Sequence, residues 1–195
     1  MREPPHRRKA MSEERAPQRV ESLVGDESET TSWDVARERL ANPEHQRTSW
    51  LATTRPDGRP HLMPVITTWI DGAIHIVVGE GTRKARNLAT DSRCVIATTS
   101  TTLPSLDIVL EGRAEPLTDD DDVRHIAESL TKSGWPLEAN GDKVDGPNAP
   151  TAGPPPYTIY RFLPSKAFGL PGMYGMDQLE QSALPKPTRW EFDGG

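Results

Sequence analysis

Residues 66–88, ITTWIDGAIHIVVGEGTRKARNL, decide the reading of this chain. Asp71-Gly72 between two runs rich in β-branched residues marks a tight turn, so 66–70 and 73–79 read as antiparallel neighbours. Thr82 then offers an N-cap hydroxyl, and the residues after it start a short helix. That helix carries Arg83 and Lys84 in its first turn, where the positive end of the helix dipole disfavours cations. Free backbone N–H groups there already supply roughly half a positive charge, so two added cations gain most when an anion lies among them. Asn87 follows Lys84 by three residues and shares its face. The pattern points to a phosphate-bearing ligand.

Outward from this stretch the text is mostly β. TSWLATT (48–54) and PHLMPVITTWI (60–70) flank RPDGRP, whose Pro-Asp-Gly suits a tight hairpin turn. With 73–79 they give three consecutive antiparallel strands. RCVIATTS (93–100) and SLDIVLEGRAEPL (105–117) are apolar at intervals of two, which predicts a fourth and fifth strand. YTIYRFLP (157–164) and a short TRWEF (188–192) follow as a sixth and seventh. Ser32 or Asp34 caps a helix in SWDVARERLANP that Pro43 stops, and Asp119–Asp122 place negative charge at the start of another running to about Lys132. Three short helices and meanders joined by tight turns suggest a mainly β protein and a small closed barrel.

The 195 residues suit one domain. Residues 1–31 have few apolar side chains and read as a disordered tail, with Met11 a possible alternative start; residues 32–195 read as the domain. Residues 136–156 are crowded with proline and glycine and are expected to form an ordered loop or flap. The formal charge is −6, and the first twenty residues are net basic, so the body is more acidic still. An acidic body argues against broad nucleic-acid binding. Cys94 is the single cysteine, which excludes an intrachain disulfide and a cysteine-based zinc site. With no apolar run long enough to span a bilayer, a cytoplasmic protein is expected, without membrane attachment.

Several chemistries fail on residue identity. A dinucleotide fingerprint needs glycine where Lys84 stands, and a P-loop needs Gly-Lys-Ser/Thr after a four-residue gap. No Gly-x-Ser-x-Gly elbow occurs, and the five histidines show no paired spacing, so neither a hydrolase nor a metal site is expected. His75 reads as half-exposed between Ile74 and Ile76, His61 as a strand-end polar residue, and Cys94 as a buried apolar side chain. The five tryptophans read mainly as core or interface anchors.

RTSWLATTRPDGRPHLMPVITTWIDGAIHIVVGEGTRKARNLATDSRCVIATTS, followed by LEGRAEPL, the late strand YTIYRFLP, KAFGL and TRWEF, resembles the pyridoxamine 5′-phosphate oxidase-like superfamily. It is most similar to the flavin/deazaflavin oxidoreductase branch of actinobacteria. The resemblance covers residues 32–193 and implies an FMN-binding split barrel of six antiparallel strands, paired as a homodimer with cofactor sites at the interface. It implies that the ring system lies against Pro64, Val65, Ile66 and Thr67, and that Val78, Gly79, Thr82, Arg83 and Lys84, with Asn87 nearby, hold the phosphate. The chain departs from true pyridoxamine phosphate oxidases at its end: PTRWEFDGG lacks their basic substrate-gripping segment, with Arg189 alone a poor substitute.

The expected function is therefore a homodimeric oxidoreductase that passes hydride between its cofactor and a small organic substrate. Coenzyme F420 is favoured over FMN by the branch resemblance alone, with Arg47 and Arg86 as candidate contacts to a polyglutamate tail. No catalytic side chain is assigned, because the cofactor carries the chemistry. Two alternatives are a flavin, deazaflavin or haem carrier, with His61 or His75 as axial ligand, and a partner-recruiting module built on the proline-rich loop.

Overall fold

The computed structural model describes residues 16–25, 29–42, 46–100 and 102–193. The strands are β1 (Arg19–Ser22), β2 (Gln46–Thr54), β3 (Pro60–Val65), β4 (Thr67–Ile70), β5 (Ala73–Gly79), β6 (Arg93–Ser100), β7 (Leu106–Pro116), β8 (Glu138–Asn140), β9 (Lys143–Asp145), β10 (Tyr157–Pro171) and β11 (Thr188–Glu191). The helices are α1 (Trp33–Ala41), α2 (Arg83–Thr90) and α3 (Asp120–Lys132).

The barrel closes through one bend. β3 pairs with β2 and β4 with β5, and only Ile66 separates β3 from β4. The remaining pairings, β5–β10, β10–β7, β7–β6 and β6–β2, are all antiparallel and complete a six-membered ring. A single run, 60–70, thus belongs to two ladders, which removes the edge an open sheet would expose. β10 is long enough to serve both β5 and β7, with an irregularity between Pro164 and Lys166. This is the mainly β, antiparallel split barrel that the sequence implied.

Alternation decides what lies inside. Cys94, Ile96, Leu106, Ile108 and Leu110 point inward and are at most 6% exposed. Trp190 is fully enclosed and meets Trp33 edge to face at 5.5 Å, with Phe192 on the other side of Trp33 at 4.9 Å. β5 is buried on both faces, because α3 covers its outer side. Val123, Ile126, Ala127 and Leu130 of α3 fall at helical spacing and pack with Val77 and Ile159. The Asp119 side chain accepts from the N–H groups of Asp121 and Asp122, capping that helix. No helix among the described residues is long and apolar enough to cross a membrane.

Four expectations need correction. Residues 1–15 and 26–28 of the expected tail lie outside the described residues, but Arg19–Ser22 pair with β11, and the buried Thr31 N–H donates to Thr188 Oγ1 at 2.8 Å. Backbone pairing needs no apolar content, so composition did not register this strand. The strands number eleven rather than six or seven, because 60–70 splits at Ile66 and short pairs flank the barrel. Residues 136–156 hold the β8–β9 hairpin and bury Leu137, Val144, Ala149 and Ala152 in the α3 cluster, so much of this segment is fitted core. Finally, His75 is 4% exposed rather than half-exposed, since α3 roofs its strand. Pro43, the expected stop of α1, lies outside the described residues.

Burial of His75, and secondarily the charge of Arg161, holds its pKa down at about 4. The unfolded chain accepts this proton near 6.5 and the folded chain resists it to about 4. The associated stability is complete above about 6.5 and is lost as pH falls through 4, a change of roughly 3 kcal/mol. Urea unfolding of wild type and His75→Leu at pH 7 and pH 4 should show an acid-induced loss smaller by about this amount in the variant. Equal losses would show that His75 does not resist protonation.

Candidate functional site

α2 is fixed from three directions. Thr82 caps it: its Oγ1 accepts from the Ala85 N–H at 3.3 Å and donates to the Gly79 carbonyl at 2.8 Å. Leu88, 4% exposed, joins the barrel core. Asn87 is fully enclosed, and its Nδ2 donates to Thr53 Oγ1 of β2 at 2.9 Å. The helix cannot rotate to release its first-turn cations.

Those cations meet two more basic groups. Thr53 is the cross-strand partner of His61, whose Nδ1 stands 3.4 Å from Thr53 Oγ1. Partial burial holds the His61 pKa below its ordinary value, and the charges of Arg55, Lys84 and Arg83 push it further in that direction. Arg55, His61, Arg83 and Lys84 therefore form one electrostatic cluster. Arg55 keeps a buried Nε–H without a partner. Among the described residues no carboxylate pairs with Arg55, Arg83 or Lys84, whereas nearby Arg59 and Arg93 are held by Asp57 and Asp91. These two carboxylates are thus used elsewhere. This corner is left electropositive.

The two helix-start cations behave differently. Arg83 is exposed. Lys84 is only 4% exposed, and its ammonium donates to the Thr151 carbonyl of the proline-rich segment. Desolvation lowers its pKa, so this lysine carries its charge at a cost that an anion would relieve. The remaining expected residues divide. Pro64 and Val65 end β3, Ile66 forms the bend at 50% exposure, and Thr67 opens β4 with its hydroxyl 2.7 Å from Ser49 Oγ. Val78 is enclosed in the core. Gly79 gives its N–H to Ala152 at 2.8 Å, and a Cβ there would stand 2.4 Å from that same carbonyl oxygen. The structure joins Arg83, Lys84 and Asn87 to His61. Val78 packs in the core, and Gly79 is bonded to the proline-rich segment.

Sequence reasoning missed Thr53 and Arg55 and set His61 aside. The signal was present in the hairpin: the RPDGRP turn puts residue 53 opposite 61, and Arg55 lies two residues beyond Thr53. What alternation cannot show is that α2 folds onto this end of the β2–β3 pair. Arg47, a candidate tail contact, has its side chain outside the described residues.

Beside the cluster lies an exposed apolar sheet face. Trp50 is 39% exposed and pairs with Pro64 and Ala97, while Leu62 is 56% exposed and pairs with Ala52. An open groove of about 530 Å³ borders this face, with Thr54, Pro60, Val95, Arg93, Arg113 and Glu111 in its walls. A cavity between Trp33, Trp69 and Arg161 offers only about 30 Å³, too little for more than about one water. Among the described residues no group of three or more His, Cys, Asp or Glu is placed to hold a metal ion.

No curated protein matches the sequence. Among solved structures, the conserved hypothetical protein Rv2991 from Mycobacterium tuberculosis aligns at 19% identity over 78% of this chain and 91% of that chain, with a TM-score of 0.57. A nimC/nimA family protein from Clostridium acetobutylicum aligns at 13% identity over 73% of this chain and 89% of its own, with a TM-score of 0.51. An F420 reductase aligns at 20% identity over 67% and 94% of the two chains, but its TM-score of 0.47 carries no argument. At these identities the likenesses show the fold alone. The pyridoxamine 5′-phosphate oxidase family model matches residues 35–161, more than half of the chain, and with the split barrel around it this protein belongs to that family.

Proposed function

We propose that this protein is a homodimeric oxidoreductase that binds coenzyme F420, or alternatively FMN, and serves hydride transfer to or from a small organic substrate. The observation that carries the reading is the cluster of Arg55, His61, Arg83 and Lys84 at the start of α2, with no carboxylate among the described residues paired to Arg55, Arg83 or Lys84. A cluster of like charges beside a helix N-terminus is favourable chiefly when an oxyanion shares it, and a phosphate takes several charged hydrogen bonds at once. Both cofactors carry such a phosphate on a ribityl-type chain, so the cluster suits either. F420 is favoured by resemblance of sequence alone.

The chain's own residues would act by holding and enclosing. Arg83, Lys84 and Arg55 would anchor the phosphate, the Thr82 cap would keep α2 in register, and the bend at Pro64, Val65, Ile66 and Thr67 would support the ring system. The bound cofactor supplies the redox chemistry, so none of these residues need act as acid or base. A haem role has less support. His75 is enclosed, and His61 faces Thr53.

The apolar face around Trp50, Ala52, Leu62 and Pro64 supports the homodimer. A second copy would remove Trp50 and Leu62 from water at about 25 cal/mol per Å² of apolar surface, and it would bring a second wall to the 530 Å³ groove. That groove, open on one chain, would then be enclosed enough to exclude water.

Three outcomes are expected. Arg83→Ala removes an exposed cation and should weaken binding of FMN and of F420 by about 1.5 to 3 kcal/mol in calorimetric titration, the range of one charged hydrogen bond. Unchanged affinity for the tighter cofactor would refute the phosphate assignment. Lys84→Ala should act at least as strongly but, because Lys84 is buried, must be accompanied by an unfolding curve. Leu62→Glu should turn a sedimenting dimer into monomers, and a wild type that sediments as a monomer would remove the homodimer.

A further inference from the structure

The Asn87 side chain is fully enclosed, yet its Oδ1 has no hydrogen-bond partner. A buried carbonyl oxygen without a donor loses its hydration and gains no bond in return, so its retention beside a cationic cluster needs a reason. The other edge of the same amide donates from Nδ2 to Thr53 Oγ1 at 2.9 Å. Thr53, 3% exposed, lies 3.4 Å from His61 Nδ1. The Thr53 oxygen takes the Asn87 N–H on one lone pair and keeps its hydrogen to give, with His61 Nδ1 within reach as its acceptor. When Thr53 donates, the imidazole is neutral with its proton on Nε2.

The chain of bonds has a second arrangement, satisfied throughout once an anion accepts from Asn87. When His61 is protonated, Nδ1–H becomes a donor and the second lone pair of Thr53 Oγ1 accepts it, so the buried Thr53 hydrogen loses its acceptor. An Asn87 amide that presents oxygen to Thr53 supplies one. Reversing the amide puts Oδ1 on Thr53, ends its isolation, and turns both N–H groups of Nδ2 toward the position Oδ1 held. Asn87 lies one turn beyond Lys84 on the same helix face. In that arrangement the enclosed amide is a donor, which an oxyanion requires.

We propose that His61, Thr53 and Asn87 form a reversible relay within the anion site, so that entry of an oxyanion among Arg55, Arg83 and Lys84 turns the Asn87 amide toward it and is coupled to uptake of one proton on His61. The inference rests on reading this cluster as a phosphate site. Three cations act on His61: Arg55 from the β2–β3 turn, and Lys84 and Arg83 from α2. An anion that offsets them removes the charge repulsion that opposes protonation of the imidazole. By reciprocity, protonated His61 must then bind anions more tightly. His61 and Thr53 are on this account positioning residues, and Asn87 is the member that meets the anion.

Sulfate is the suitable probe, because its own charge does not change between pH 5 and 8. Full-length protein is titrated with sulfate across that range, following the His61 ring and the Asn87 side-chain amide by NMR. The expected result is a rise in the His61 titration midpoint with saturating sulfate, and an affinity that increases up to tenfold per pH unit as pH falls between the free and bound midpoints. The Asn87 amide signals should move with the same midpoint as His61. His61→Gln should bind sulfate with no pH dependence from this source. Thr53→Val keeps the side-chain shape and should leave His61 responsive to sulfate while uncoupling the Asn87 amide from its titration.

Sulfate binding that is independent of pH in wild type, or an Asn87 amide that ignores the titration of His61, would overturn the relay while leaving the phosphate site intact. Failure of sulfate, FMN and F420 to bind at any pH would overturn both.

Discussion

A helix that opens with two cations opposes its own dipole, and in this protein the barrel holds it in that orientation. Leu88 in the core, Asn87 on Thr53 and the Thr82 cap leave α2 no freedom to turn Arg83 and Lys84 away from Arg55 and His61. The desolvation of Lys84 and the depressed basicity of His61 are consequences of that placement. Proteins relieve such clusters with carboxylates where only stability is at stake, as Asp57 and Asp91 do for neighbouring arginines. Among the described residues no carboxylate does this for Arg55, Arg83 or Lys84.

The bend at Ile66 is the second constraint, and it connects fold to site. By passing one run of chain from the β2 ladder to the β5 ladder, it closes the barrel and places the exposed Ile66 beside an outward apolar surface. The proline-rich segment completes the arrangement from the other side. Its carbonyls at Thr151 and Ala152 take the Lys84 ammonium and the Gly79 N–H. Its apolar residues are anchored under α3, and its prolines limit how far the chain between those anchors can move.

Much of the barrel was legible in the residues. Alternation in RCVIATTS and SLDIVLEGRAEPL, and the Asp-Gly turn before AIHIVVG, are local signals that survive folding unchanged. The short partners were not legible: Arg19–Ser22 becomes a strand only because β11 offers an unpaired edge, and no feature of RVES encodes that. His75 looked half-exposed because its own strand alternates, and its burial is decided by α3, about fifty residues later in the chain. At the site, Arg83, Lys84 and Asn87 stood out because a helix start has its own electrostatic rule. Thr53, Arg55 and His61 did not, since each is ordinary for a strand or turn and acquires meaning only when α2 packs across that end of the hairpin. Gly79 entered through the resemblance alone, and what the residues could not show is that it admits the Ala152 carbonyl.

If the α2 corner receives the phosphate of a redox cofactor, a crystal structure of the full chain grown with FMN or with coenzyme F420 will show it there. The phosphate is then expected within hydrogen-bond reach of Lys84 Nζ and the Arg83 guanidinium, with Arg55 and His61 beside it and the ring system against residues 64–67. A cofactor phosphate bound elsewhere on the barrel, with the Lys84 ammonium still on the Thr151 carbonyl, would contradict it.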